Sequence, residues 1–372
     1  MISLDVLRGI TIAFMIMVNN NGGHAYWPFE HSAWNGWTPT DLVFPTFLFL
    51  VGVTTVFSIE SRLKRGESAS SQVSHIIRRF VVLFLLGLFV NGFPRFPWAH
   101  LRIYGVLQRI AICYLIAGIM WLAVRRWPRR VATLTGILAV CLVGYWILMR
   151  FVPVPGYGVP GRDIPLLDKD ANLVAWLDRH IFPGRLYEGT RDPEGLLSDI
   201  PALATTLLGM LTAIWLRTTR SIERKCAGLL GAGVVCILLG ELWNPWFPIN
   251  KKLWTSSYVL FAGGCSLVVW AFCMWFIEIK GWKKGWTGFW LIFGMNAIAA
   301  YVFSEALASL LWAVTLPAGP GAHSSLDLWL YSRVFAPIHP PGVASLLYSI
   351  VFTLVCWLPV LVLYRKKIFL KV

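Results

Sequence analysis

The sequence predicts an all-α, polytopic integral membrane protein, and three observations predict it. Apolar residues make up 57% of the 372 and charged residues only 14%, with a mean hydropathy of +0.65; soluble domains usually carry about a quarter charged residues. Ten apolar runs each approach the roughly 20 residues that cross about 30 Å of hydrocarbon. Lys and Arg alternate in density from one connection to the next, as topology in a bilayer requires. The runs are continuously apolar and too long for barrel strands, so no strand is expected.

The runs lie near residues 4–20, 41–60, 76–92, 104–124, 132–152, 199–216, 226–243, 255–277, 288–314 and 343–364. Met1 to Leu4 is too short for a charged leader and no small-residue cleavage site follows, so the first run reads as a retained helix. With the N-terminus cytoplasmic, the even-numbered connections and the C-terminus should be basic. They are: Arg8; Arg62, Lys64, Arg65, Arg78 and Arg79; Arg125, Arg126, Arg129 and Arg130; Arg217, Arg220, Arg224 and Lys225; Lys280, Lys283 and Lys284; Arg365, Lys366, Lys367 and Lys371. These are 21 of the 33 bases. Both termini therefore read as cytoplasmic. The net charge of +15 is explained by these loops and by anionic membrane lipid, and nucleic-acid binding is disfavoured. All seven cysteines fall within the runs, which argues against structural disulfides and a zinc site. No Asn-x-Ser/Thr acceptor lies in the external loops, which favours a bacterial inner membrane over a lysosomal one.

The whole chain, 1–372, reads as a single transmembrane domain. Its one long connection, residues 152–198, is external, and Trp176, Leu177, Ile181 and Phe182 make it an ordered cap rather than a linker. No internal repeat supports a duplicated transporter.

The stretch from Val18 to Gly52 concentrates the chemistry. His31, in FEHSAWNGW, has an imidazole suited to general acid/base work, with Glu30 and Asp41 near enough to orient it. A loop-capping surface histidine is the alternative, and His24 competes for the same role. Asn19, Asn20 and Asn21 end the first helix; one cap explains one asparagine, and the others are free to bind a polar substrate or an oxyanion. Asp5 and Arg8 lie a turn apart, an interfacial ion pair or a phosphate contact. Gln108 and Arg109 sit inside the fourth run, where an arginine must face protein or a water-filled cavity. Asn296 and Glu305 are polar groups within the ninth, helix-to-helix hydrogen bonding being the default for Asn296. Asn250, Lys251 and Lys252 form an external basic spot against the charge trend, available to an anionic group or to pairing with Asp192 or Glu194. Trp34, beside Asn35, is a candidate platform for a sugar face, although an interfacial belt accounts for most of the 20 tryptophans.

These blocks, SLDVLRGITIAFMIMVNN, HSAWNGWTPTDLVFPTFLFLVG, YGVLQRIAICYL, RDPEGLLSDIPA, PINKKLWTSSYVL, GMNAIAAYV and YRKKIFLKV, resemble the heparan-alpha-glucosaminide N-acetyltransferase family, bacterial members included, in the same order over nearly the whole chain. The resemblance implies an enzyme that takes acetyl-CoA from the cytosolic side and acetylates a glucosamine amino group on the far side. The family's active-site histidine corresponds to His31 and its helix-one asparagine to Asn19, or to Asn20, because one residue is inserted here. Lysosomal relatives carry an extra N-terminal helix and a lumenal domain, whereas this sequence begins at the SLDVLRG block. Arg8 and Asn19, with ten residues between, also resemble the arginine-to-histidine spacing of other membrane acyltransferases.

The resulting expectation is an amino-sugar N-acetyltransferase without a metal. His31, Asn19, Asn20 and Asp41 are the catalytic candidates, and Arg8, Arg78, Arg79, Arg109 and Asn296 the acetyl-CoA candidates. Glu30, Trp34, Asn35, Asp192, Glu194, Lys251 and Lys252 are the acceptor candidates, the acidic loop attracting a cationic sugar. A homodimer is compatible with this reading. A small-molecule transporter and an O-acyltransferase of envelope glycans are the rival readings.

Overall fold

The computed structural model describes residues 1–182, 184–283, 285–319 and 322–370; Lys284 and Lys371 of the basic set lie outside these. Among the described residues nine helices are long and apolar enough to span a bilayer, and a bent pair makes a tenth span. They are α1 (Ile2–Asn19), α2 (Val43–Lys64, entered through a 3-10 turn at Pro39–Leu42), α3 (Ala69–Gly92), α4 (Val106–Val124) and α5 (Arg130–Phe151). After a short α6 (Leu173–Ile181) come α7 (Asp199–Leu216), α8 (Ile222–Trp243), α9 (Ser256–Met274, extended by a π-turn to Ile279), and the pair α10 (Trp286–Met295) and α11 (Ala297–Ala313). A hairpin, β1 (Thr315–Gly319) with β2 (Ala322–Ser325), and a one-turn α12 (Leu326–Leu330) lead into α13 (Pro341–Arg365). The chain is an all-α polytopic membrane protein. The hairpin corrects the expectation of no strands: two strands this short leave no trace in a search for 20-residue runs.

Helices α1, α2, α4, α7 and α9 are the most buried, while α3, α5, α8 and α13 turn most of their surface outward. Apolar burial drives little association in lipid, so close backbone approach must do it. Gly52 and Gly209 provide it between α2 and α7: a Cβ on Gly52 would stand 1.9 Å from the Thr206 carbonyl oxygen, and one on Gly209 2.0 Å from that of Phe49. Gly294 lets α10 meet α1 in the same way, 2.0 Å from the Asp5 carbonyl oxygen.

The ninth run is broken at Asn296, where α10 and α11 meet at 80°. The Asn296 amide donates to the Ile368 carbonyl at 3.1 Å, and its oxygen accepts from Leu370 N at 2.9 Å. It thus holds the tail after α13 rather than a neighbouring helix. Because the tail returns to the break, and Arg8 reaches the Gly294 carbonyl at 3.3 Å, residues 2–8 and 366–370 lie at one end of the bundle, the Arg8 end. His31 lies at the other.

Residues 152–198 fold over the His31 end. Asn172 caps α6 by accepting from Ala175 N at 2.9 Å. Leu167 and Val174 join a second apolar cluster with Tyr145, Met149, Phe247 and Leu253. This cap is tied down by ions: Arg102 pairs with Asp192 at 2.5 Å and Glu194 at 2.6 Å, and Lys252 pairs with Glu188 at 2.8 Å.

Candidate active site

The sequence Thr38-Pro39-Thr40-Asp41 builds the centre of the site. Thr38 caps the 3-10 turn, and Asp41 Oδ2 accepts from Thr38 N (3.0 Å), Thr38 Oγ1 (3.1 Å) and Ser32 N (3.0 Å). Three donors on one oxygen fix the carboxylate, which is 1% exposed, and aim Oδ1 at His31 Nδ1, 2.7 Å away. The carboxylate requires the proton on Nδ1, so Nε2 keeps its lone pair, the arrangement of a general base. The His31 side chain is 40% exposed, so a substrate can reach it. Tyr258 anchors the turn from α9 by donating to the Asp41 carbonyl at 2.5 Å.

A turn more than 200 residues away completes the group. Asn250 shapes it: its oxygen accepts from Leu253 N at 2.9 Å, its amide donates to Asn35 Oδ1 at 3.1 Å, and Gly36 N donates to the Ile249 carbonyl at 2.8 Å. Lys251 Nζ is thereby placed 2.9 Å from His31 Nδ1, 3.4 Å from Nε2 and 3.6 Å from Asp41 Oδ1. Burial lowers the Lys251 pKa below the ordinary lysine range, with Asp41 opposing. The expected pairing of Lys251 or Lys252 with Asp192 or Glu194 is corrected. Lys251 goes to Asp41 and Lys252 to Glu188, because Arg102 already holds both cap carboxylates. Burial opposes the Arg102 charge, but Glu194 and Asp192 outweigh it and raise the pKa.

At the Arg8 end lies a cavity of about 400 Å³. Arg8, Arg62, His75, Arg79 and Asp5 are its titratable lining groups, and Phe47, Leu50, Val51, Ile110 and Ile298 line its apolar part. Arg8 is held by Asp5 at 3.1 Å, and the Arg79 guanidinium lies 4.4 Å from the centre of the Tyr114 ring. Phe47, Ile110 and Ile298 also line a second, nearly closed space of about 10 Å³ together with Ile12, Met15, Val106, Leu107 and Tyr301. The two spaces share these three residues, and the small one, a closed throat, lies beyond the basic cavity toward the His31 end. One helical turn beyond Met15 on α1 stands Asn19, and one turn beyond Tyr301 on α11 stands Glu305, so both polar groups follow the throat lining on helices that pack together.

The structure sorts the remaining candidates. Asn20 donates to the Ile16 carbonyl of its own helix at 2.8 Å, so its amide is occupied, whereas the Asn19 side chain is exposed. Arg79 lines the cavity, but Arg78 is exposed away from it. Arg109 is fully buried and reaches neither space: it donates to Asp199 Oδ1 (3.0 Å), the carbonyls of Pro193 (3.3 Å) and Gly195 (3.0 Å), and Ser198 Oγ. Its expected place at the acetyl-CoA site gives way to that of a clamp on the foot of the cap, because every guanidinium nitrogen is taken by protein. Trp34 donates to the Leu167 carbonyl at 2.9 Å, and its ring is flanked by Arg191 and Lys169, so it docks the cap. Glu30, Asn35 and His24 are exposed. Arg62 was legible only as topology, and His75 and Arg102 were not read at all; the position of His75 one turn before Arg79 on α3 was the one signal that could have found it.

A family model described as heparan-alpha-glucosaminide N-acetyltransferase, catalytic, matches residues 1–241. The chain belongs to this family. The matched region holds α1 to nearly the end of α8, with His31, Asp41, Arg109 and the cap, and stops short of Lys251, Asn296 and Glu305. The chain is similar to the heparan-alpha-glucosaminide N-acetyltransferase of Mus musculus, 28% identical over 99% of this chain and 60% of the relative. It is likewise similar to that of Homo sapiens, 29% identical over 82% and 52% respectively. It spans between half and three fifths of the length of these family relatives.

Proposed function

We propose that this protein is a transmembrane N-acetyltransferase that moves the acetyl group of cytosolic acetyl-CoA to the amino group of a glucosamine-type sugar across the membrane. One arrangement carries the reading: a basic cavity at one end, an oriented histidine at the other, and an apolar throat leading from the first toward the second. The charge alternation makes the Arg8 end cytoplasmic and suits a bacterial inner membrane. Arg8, Arg62, Arg79 and His75 offer the donor's phosphates charge-assisted hydrogen bonds. Arg8 to Asn19 is eleven residues, roughly 16 Å of helix, and an extended pantetheine arm laid along the throat would carry the thioester to Asn19. There the Asn19 amide would donate to the thioester oxygen as charge develops. His31 Nε2 would take the proton released when the amine nitrogen bonds to the acetyl carbon, and return it to the departing thiolate.

The test is purified protein in lipid with labelled acetyl-CoA and a panel of amino sugars. Label should pass to the amine, and His31→Ala should lower turnover by about 10² or more while donor binding stays intact. A protein that binds no acetyl-CoA and moves the sugar unmodified would be a transporter.

A further inference from the structure

Glu305 is the one charged residue in the described part of the α10–α11 span, and it has no cationic partner within 4 Å. A carboxylate inside a membrane helix is costly to keep. The other carboxylates at the His31 end that lack a base are accounted for elsewhere: Asp168 and Asp178 accept backbone N–H groups within the cap, Asp327 bonds Tyr348, Glu241 accepts from the Asn244 amide, and Glu30 is exposed on the outer surface. The cap acids expected to attract the acceptor are paired with Arg102, Arg191 and Lys252. Glu305 alone sits one turn beyond the throat lining, half-buried, on a helix packed against α1, whose exposed Asn19 likewise follows that lining. Around it are Arg102, Glu194 and Tyr187 from the cap side, Tyr301 on its own helix and Cys356 on α13.

We propose that Glu305 receives the acceptor as its ammonium ion and takes the first of its two protons. This deepens the proposed function and rests on it. An amine acceptor arrives as R–NH3⁺ and must lose one proton before its nitrogen has a lone pair and a second after the N–C bond forms. A hydroxyl acceptor has only one to lose. Glu305 takes the first and passes it to water through the open side of the site, and His31 takes the second and delivers it to the sulfur as the C–S bond breaks. The balance is R–NH3⁺ plus acetyl thioester giving amide, thiol and one released proton. Two acceptor groups for two protons make the site one for cationic amines.

The experiment compares Glu305→Gln with the unmodified protein on two acceptors at neutral pH: glucosamine, largely an ammonium ion, and an O-alkyl hydroxylamine, whose amine is already neutral. The substitution should lower kcat/KM for glucosamine at least 30-fold and for the neutral amine less than threefold, and the glucosamine deficit should shrink as pH rises. Glu305→Asp, which keeps the charge, should recover part of the glucosamine rate and serves as the second comparison should the Gln variant fail to fold, with Asp then expected to slow glucosamine selectively. Equal losses on both acceptors, or no loss on either, would overturn the proposal. Absence of transfer to either acceptor by the unmodified protein would instead overturn the acetyltransferase reading.

Discussion

Arg8 and Arg79 converge on the basic cavity from different helices, one steadied by Asp5 and the other by the Tyr114 ring. Replacing either with Gln should weaken acetyl-CoA binding by about 1.5 to 3 kcal/mol, the scale of a charge-assisted hydrogen bond, and leave the acceptor preference unchanged. Calorimetric titration of the reconstituted variants checks this, and full donor affinity in both would remove the nucleotide from that cavity. Individual residues were unevenly legible in the sequence. His31 and Asp41 stand ten apart in one polar block, so their pairing was one of the two the sequence offered, Glu30 being the other, and the structure selects it. Lys251 lies 220 residues from His31, a separation no local pattern encodes. Asn19 and Asn20 looked equivalent until the return bond from Asn20 to Ile16 distinguished them. Arg109 looked like a site residue because burial of an arginine demands partners; that the partners are the cap's own carbonyls is a tertiary fact.

Among the elements, the cap is the one that responds to pH. Asp178 on α6 is fully buried, one oxygen accepting from Leu196 N at 3.1 Å and the other without a partner. Burial pushes its pKa up to about 7, with Asp192 adding to the rise and the Leu196 N–H opposing it. The folded pKa is raised above that of the unfolded chain, near 4, so the folded state binds the extra proton. Its contribution is full below about pH 4 and is lost as pH climbs through 7. The melting temperature of unmodified protein should therefore fall relative to Asp178→Asn between pH 5 and 8, and parallel pH profiles would show that Asp178 is ionised throughout. Helix positions followed from the length of the apolar runs, and the ten runs recur with ends shifted by a few residues, except that α3 starts seven residues earlier, at Ala69. The kink at Asn296 did not, since nothing local shows that a distant segment, here Ile368 and Leu370, takes up the Asn296 side-chain amide where the span breaks.

At the scale of the whole molecule, ten spans return the tail to the end where the chain starts, and the charge alternation fixes which side that end faces. Single cysteines in a background lacking the seven native ones report this. Tyr157→Cys in the cap should react with an impermeant maleimide from outside, and Glu67→Cys and Glu223→Cys should not. Labelling of all three from one side would break the ten-span topology.

The throat has a consequence for the membrane itself. Its lining, Ile12, Met15, Phe47, Val106, Leu107, Ile110, Ile298 and Tyr301, presents almost only hydrocarbon and closes to about 10 Å³, too little for a water file and hostile to ions. A conduit wide enough for a thioester arm would otherwise short-circuit the ion gradients of the cell. Here the closed apolar lining leaves no room for a continuous file of water through that space, and the unbranched Met15 is the side chain best suited to move aside for a ligand.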